Sequence, residues 1–409
     1  MHKVQSMRNL PAVDDSAVAD RSDTPTSREA PWRHRACDPI GVGHSRSTCN
    51  VLRAPKILLV FVVSVLILAA CSSKASTQRA RTTTTRPAAA LCPLTGAPVP
   101  GGGAVPKRPA LAIKVDNYPA ARPQSGLNKA DIVFEEPVEG AITRYVAVFQ
   151  CQQGGLVGPI RSARNIDIGI LGEFGSPLLV HVGGINPVLA NINNSPLVNI
   201  DLMVHGAVEQ HPPGRYAPYD TYATTTSLWN LKPNDTTVPA PVFKYSRQTP
   251  AGTPATTVAI PFSSTSNVVW KYNPALGVYQ RYYGVTPDVL ANGQQNSAAN
   301  VVVQFVHIYY GPWLENSEGG LEVQANLYQS ASGNAEIFRN GVEIAGTWQR
   351  NGLGVPTQFL NAQGQTITLN PGTTWVELVP DTIKVTATGP APTSSSTSTN
   401  ATSGSNYRG

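Results

Sequence analysis
From residue 110 onward, apolar and β-branched residues come in short runs, each closed by Gly, Pro, Asn or Asp. A helix packed on a core needs an apolar stripe sustained over roughly ten residues, whereas a strand needs only about four to eight. Past residue 255 the runs read "NVVWKYN", "GVYQRYY", "NVVVQFVHIYY", "LEVQANLY", "NAEIFRNGVEIAGTWQR", "PTQFLN" and "TWVELVP". Turn pairs such as Asn340-Gly341, Gln363-Gly364 and Pro371-Gly372 separate them. Residues 255–385 are therefore expected to form a mostly antiparallel β domain. Composition agrees: 35 Gly and 35 Pro against only 14 % charged residues favour loops and strands over long surface helices. No repeat of fixed period is visible.

Residues 92–250 mix the two periodicities, and the fold class expected overall is α+β: an α+β domain followed by the β-rich one. Strands are expected at Ala110 to Val115, in "ADIVFEEPVEG" and "ITRYVAVFQC" (a hairpin through Gly140), and in "PLLVHV". Helices are expected from Ser162 to Leu171 with Ser162 as N-cap, in "NPVLANIN", and in "TTTSLWNL" capped from Thr224 or Thr225.

Ahead of this folded part stands an unusual leader. Arg53 and Lys56 precede a 14-residue apolar run, Ile57 to Ala70, that is shorter than the ~20 residues of a membrane span. The run ends Leu68-Ala69-Ala70-Cys71, which resembles a bacterial lipobox at all four positions. Residues 51–70 thus read as a lipoprotein signal peptide, with Cys71 the lipidated first residue of the mature chain. That reading places the protein on the extracytoplasmic face of a bacterial membrane. Residues 1–50 carry no sustained apolar periodicity and read as an untranslated or disordered extension, with translation expected to begin near Val51. Residues 71–91 read as a disordered tether, and 389–409 as a disordered tail.

The leader also changes the charge and cysteine arithmetic. The formal charge is +6, but residues 1–70 hold nine Lys+Arg and six Asp+Glu, leaving 22 against 19 from Cys71 onward. Such a weak imbalance, without a basic run, argues against nucleic acid as a partner. Besides Cys71 the mature chain holds Cys92 and Cys151, which in an oxidising compartment form either one disulfide or two isolated thiols.

A family resemblance runs through several of these segments. "CPLTGAPV", "RPALAIKVDNYPAARPQSGLNKADIVFEEPVEGAITRYVAVFQ", "GLVGPIRSARNIDI" and "LLVHVGG" resemble the N-terminal domain of the DUF3048 family of bacterial lipoproteins. "NVVVQF", "GNAEIFRNGVEIAGTWQR" and "TLNPGTTWVELVP" resemble its C-terminal domain. The resemblance implies a two-domain, membrane-anchored, extracytoplasmic protein and carries over no catalytic residues. One departure stands out: where family members often have A-P-H-N-x-Y, "YAPYDTY" places Tyr219 and Asp220.

Candidate site residues follow from chemistry. Arg161 and Arg164 stand three apart at an expected helix start, where two guanidinium forks and free N–H groups suit an anion. The competing reading pairs them internally with Glu135, Glu136 or Glu139. Asp116, Asn117, Arg122 and Gln124 in "DNYPAARPQSG", together with His181, complete the candidate ligand contacts. Glu135 and Glu139 are the candidate acid–base pair. In "EQHPPGRYAPYDTY", Tyr216, Tyr219 and Tyr222 beside Arg215 suit stacking in a cleft. No HExxH or CxxC spacing calls for a metal, and no cofactor is implied. Three functional classes stay open: an envelope binding or accessory protein with an anionic cell-wall or peptide ligand, a wall-active hydrolase or transferase using the acidic residues, and a scaffold for envelope proteins.

Overall fold
The computed structural model describes residues 89–315 and 319–390. The signal-peptide segment 51–70, Cys71, most of the 71–91 tether and nearly all of the 389–409 tail lie outside them. Three strands anchor the first half: β1 (Leu111–Asp116), β2 (Ile132–Val138) and β3 (Ile142–Phe149). β2 and β3 pair antiparallel, and the turn between them runs through Gly140 at φ 76°, in the left-handed region that glycine tolerates. β1 then pairs antiparallel with β3 and parallel with strand Leu178–His181, which pairs parallel with Val198–Asp201.

The same sheet continues into the second half of the chain. Thr374–Pro380 lies parallel to β2 on one side and to Asn300–Val306 on the other. Beyond these, Ala331–Arg339, Val342–Arg350 and Gln358–Asn361 follow antiparallel. Asn340 and Gly341, at φ 56° and 75°, make the tight turn that the Asn-Gly pair announces. A second, antiparallel sheet is built from Thr257–Pro261, Asn267–Asn273, Val278–Tyr283 and Thr386–Thr388.

Both faces of the large sheet are covered. On one, Val258, Val268, Trp270 and Tyr279 of the second sheet pack against Val133, Tyr145, Val301 and Trp375. Trp375 meets the rings of Trp270 and Tyr145 edge-on at 5.2 and 5.4 Å. On the other, α1 (Ile166–Leu171) and α2 (Asn186–Asn193) press Ile166, Ile170, Val188 and Ile192 into a core with Phe134, Val146, Val302 and Leu378. Burial on both sides explains why these strands read as nearly continuous apolar runs.

The fold is mostly β, and its helices are fewer and shorter than the α+β class implies. α2 matches "NPVLANIN", with Pro187 in its first turn. α3 (Thr225–Trp229) is capped by Thr224, whose hydroxyl accepts from the Ser227 N–H at 3.1 Å. α1 corrects the expectation: it starts at Ile166, not Ser162. The Arg161 N–H donates to Lys114 O at 3.1 Å, and the Val182 N–H donates to Arg161 O at 3.1 Å. The Ala163 N–H donates to Gly183 O at 3.0 Å. Residues 161–163 are thus held extended beside β1, and Asp167, not Ser162, accepts the Arg164 N–H at 2.7 Å.

Candidate functional site
The large sheet ends on one side in a cleft of about 790 Å³. β1 and its parallel neighbour Leu178–His181 both point their C-terminal ends at it, the place where open sheets with helical crossovers leave a crevice. Four segments supply the walls: Asp116 at the end of β1 with Tyr118 beyond it, Glu139 to Arg144 around the β2–β3 turn, Arg161 to Arg164, and Val182 to Ile185 leading into α2. Glu315 reaches in from the second half of the chain.

Three arginines meet three carboxylates there. Arg164 grips Glu139 with two nitrogens, Nε at 2.8 Å from Oε2 and Nη2 on Oε1. Its third nitrogen lies 3.3 Å from Glu315 Oε2. Arg144, placed opposite Asp116 by the antiparallel register, reaches Glu139 at 3.5 Å and the Ser162 carbonyl at 3.4 Å. Its Nε is buried without a partner. Arg161 is the most open of the three, 26 % exposed, with Nε 3.4 Å from Asp116 Oδ2 and Nη1 donating to Pro218 O at 3.2 Å. Tyr219 stacks on Tyr118 across the rim, centroids 6.0 Å apart and rings 10° from parallel.

These contacts set the charge states. Burial pushes the Glu139 carboxyl up, but the Arg164 hydrogen bonds and the Arg144 charge outweigh it and hold the group at about 2. Burial dominates at Glu315, which has no hydrogen-bond donor, and raises it to about 7 despite Arg164. Burial and the neighbouring Arg164 charge bring Arg144 down to about 10.

The structure thus brings together Asp116, Glu139, Arg161 and Arg164 from the candidate residues. It places the others elsewhere. Asn117 is buried and tied: its amide nitrogen donates to Thr143 Oγ1 at 2.7 Å, and its oxygen accepts from Arg122 and Gln124 at 3.1 Å each. Arg122 also lies 3.6 Å above the ring of Tyr283 in the second sheet. Gln124 is buried beside them. His181 sits below the floor, its Nδ1 3.0 Å from Gly183 O and its Nε2 2.6 Å from Asn199 Oδ1, so it shapes the 182–185 wall. Glu135 is fully buried between the sheets, 2.6 Å from Arg281 Nη2 and accepting from Thr143 at 2.6 Å. Glu136 pairs with buried Lys114, which also meets Asp167 at 2.5 Å. In the tyrosine-rich loop Tyr216 is exposed, Tyr222 is buried, and Arg215 binds the carbonyls of residues 121–123.

Two residues of the site stand outside the candidate set, Arg144, which the sequence offers only as an ion-pair partner of Glu135, Glu136 or Glu139, and Glu315. Arg144 hides inside an otherwise apolar strand, and Glu315 lies far along the chain from the others. The first leaves a signal, a charge whose alternate neighbours Ile142 and Val146 are both apolar; the second leaves none. Cys92 and Cys151 are joined in a disulfide with Cα atoms 5.8 Å apart, at the back of the first half. Among the described residues no group of three or more His, Cys, Asp or Glu is disposed to hold a metal.

Comparison with known proteins matches both halves of the chain to one family. Residues 94–237 match "Protein of unknown function (DUF3048) N-terminal domain", and residues 258–376 match the DUF3048 C-terminal domain. A Bacillus subtilis (strain 168) protein named "Putative lipoprotein YerB" is 29 % identical over 288 residues, spanning 68 % of this chain and 83 % of its own length. The crystal structure of YerB protein from Bacillus subtilis has the same fold, with a TM-score of 0.62 at 22 % identity over 72 % of this chain and 99 % of that one. Two domain matches in order, covering more than half of the residues, establish that the chain belongs to the DUF3048 family.

Proposed function
We propose that this protein is a lipid-anchored binding protein of the extracytoplasmic membrane face, held by Cys71, whose arginine cleft takes an anionic ligand. The lipobox ending at Cys71, a relative named as a lipoprotein, and the Cys92–Cys151 bridge support the address. The observation that carries the binding reading is the charge balance in the cleft. Three guanidinium groups face Asp116, Glu139 and a Glu315 that is only partly ionised at neutral pH, so positive charge is left over. Arg161 presents it at the rim, and α2 starts at the cleft wall with no side chain capping it.

The hydrolase reading finds less support. Glu139 has both oxygens engaged and stays ionised far below neutral pH, so it holds no proton to donate. Glu135 is closed off from solvent. The scaffold reading draws on an apolar cleft of about 620 Å³ beyond the 139–142 turn, lined by Phe262, Ile308, Tyr310 and Val323.

The test is a calorimetric titration of the full chain in detergent with muramyl dipeptide, diglutamate and citrate. At least one is expected to bind, with affinity reduced tenfold or more in Arg161→Ala, about 1.4 kcal/mol. Binding by none of these anions, or turnover of a wall fragment that Glu139→Gln abolishes, would overturn the reading.

A further inference from the structure
The hairpin formed by Ile308–Leu314 and Leu321–Ala325 has two unlike faces. Tyr309 pairs with Gln324, and the next pair, Tyr310 with Val323, points to the opposite side. Tyr310 and Val323 line the apolar cleft described above, whereas Tyr309 and Gln324 look toward α1 and the C-terminal end of α2. There they close a separate cleft of about 680 Å³.

Aromatic rings and primary amides stand in its walls beside aliphatic Ile166, Ile168 and Leu353. Tyr309, Trp313 and Tyr328 supply the rings; Asn191, Asn194 and Gln329 supply amides. Among the described residues no Asp, Glu, Lys, Arg or His lines it, and the nearby Glu322 carboxylate is occupied by the Gln324 amide at 2.7 Å. Three of the lining amides are engaged: Asn165 accepts from Asn191, Gln324 donates to Glu322 Oε2 at 2.7 Å, and Asn326 donates to Gln329 O at 3.1 Å; the other three keep free groups. Asn191 spends its nitrogen on Asn165 Oδ1 at 3.1 Å and keeps its oxygen free, and neither Asn194 nor Gln329 has a side-chain hydrogen-bond partner among the described residues. The Trp313 indole N–H and the Tyr328 hydroxyl also lack one.

We infer that this cleft is a binding site for an uncharged saccharide. An amide offers one donor and one acceptor about the spacing of vicinal hydroxyls, and it does so without selecting for charge. A flat ring covers the C–H face of a pyranose, removing apolar surface from water while leaving the hydroxyls at the rim for the amides. Phosphate or carboxylate ligands would find no cation among the described lining residues. The inference does not rest on the anion reading, because the two sites share no lining residue.

The test uses the full chain in detergent, with N-acetylchitotetraose, cellotetraose and maltotetraose as probes up to about 5 mM, read by tryptophan fluorescence and calorimetry. At least one sugar is expected to bind with Kd between about 10 μM and 1 mM. Trp313→Ala and Asn194→Ala should each weaken that binding tenfold or more, and Arg161→Ala should leave it unchanged. Asn194 is exposed at the C-terminal end of α2, which it caps through its backbone N–H alone, so its variant carries the test should Trp313→Ala lose its fold. Failure of all three sugars to bind, binding untouched by Asn194→Ala, or displacement of a bound sugar by an unrelated extended peptide would each overturn the inference.

Discussion

Replacing Glu139 by Gln tests how the arginine cleft is held together. The carboxylate is 6 % exposed and faces two guanidinium groups, Arg164 through a two-point grip and Arg144 at 3.5 Å. Its pKa falls from an ordinary 4.5 to about 2. At about 1.4 kcal/mol per tenfold in proton affinity, that gap is worth about 3 kcal/mol of folding stability. The folded value lies below the unfolded one, so the contribution is complete above about pH 4.5 and disappears as the pH falls toward 2. By pH 3 about 2 of those 3 kcal/mol should be gone. Glu139→Gln should therefore be destabilised by about 3 kcal/mol at pH 7, in the range of a broken buried ion pair. The difference between the two proteins should shrink to about 1 kcal/mol at pH 3. Urea midpoints measured from pH 7 to about 3 on both chains give the comparison directly. Parallel loss of stability in the two would refute the argument, because it would mean that the arginines gain nothing from this carboxylate. The same variant releases Arg164 and Arg144, so an anion should bind it more tightly than it binds the native cleft.

Two further outcomes follow from the geometry. Removing the Cys92–Cys151 bridge, which closes a loop of sequence separation 59, should cost about 4 kcal/mol in a denaturant titration of the double Ser variant; no change would mean that the bridge adds no constraint to the unfolded chain. Because burial raises Glu315 to about 7, its proton is present below that value and lost above it. Anion affinity at the cleft should fall several-fold between about pH 6 and pH 8, a dependence that Glu315→Gln should flatten.

Much of the fold was legible where a single local rule decides. The Asn340-Gly341 turn, helix α2 and the Gly140 hairpin all sit where turn chemistry and periodicity put them. The start of α1 was not legible, because the N–H groups of Arg161 and Ala163 are claimed by Lys114 and Gly183, partners distant in sequence. The seam that joins β2 to Thr374–Pro380 was hidden for the same reason: nothing local says which apolar runs lie parallel. The first half therefore reads as α+β in isolation, yet its strands are completed by the second half and the chain is mostly β.

The candidate site was half legible, and the division has a physical basis. In a sheet covered on both faces, a charged residue inside an apolar run cannot reach water by turning over, so it must find a partner within the fold. Position along the strand then decides what the partner does. Lys114, Glu135, Glu136 and Glu377 lie within their strands and are fully buried. They bind layers together: Lys114 joins Glu136 to Asp167 of α1, Glu135 reaches Arg281, and Glu377 accepts from Trp270 at 2.7 Å. Asp116, Glu139 and Arg144 lie where β1 ends, β2 gives way to its turn and β3 begins, and there the covering layers stop short and leave the cleft. Charges of the first kind are enclosed in the fold, where no ligand reaches them. Those of the second kind keep one side toward the opening, which is why Arg161 and its neighbours, and not the equally charged middle of the sheet, are the residues able to meet a ligand.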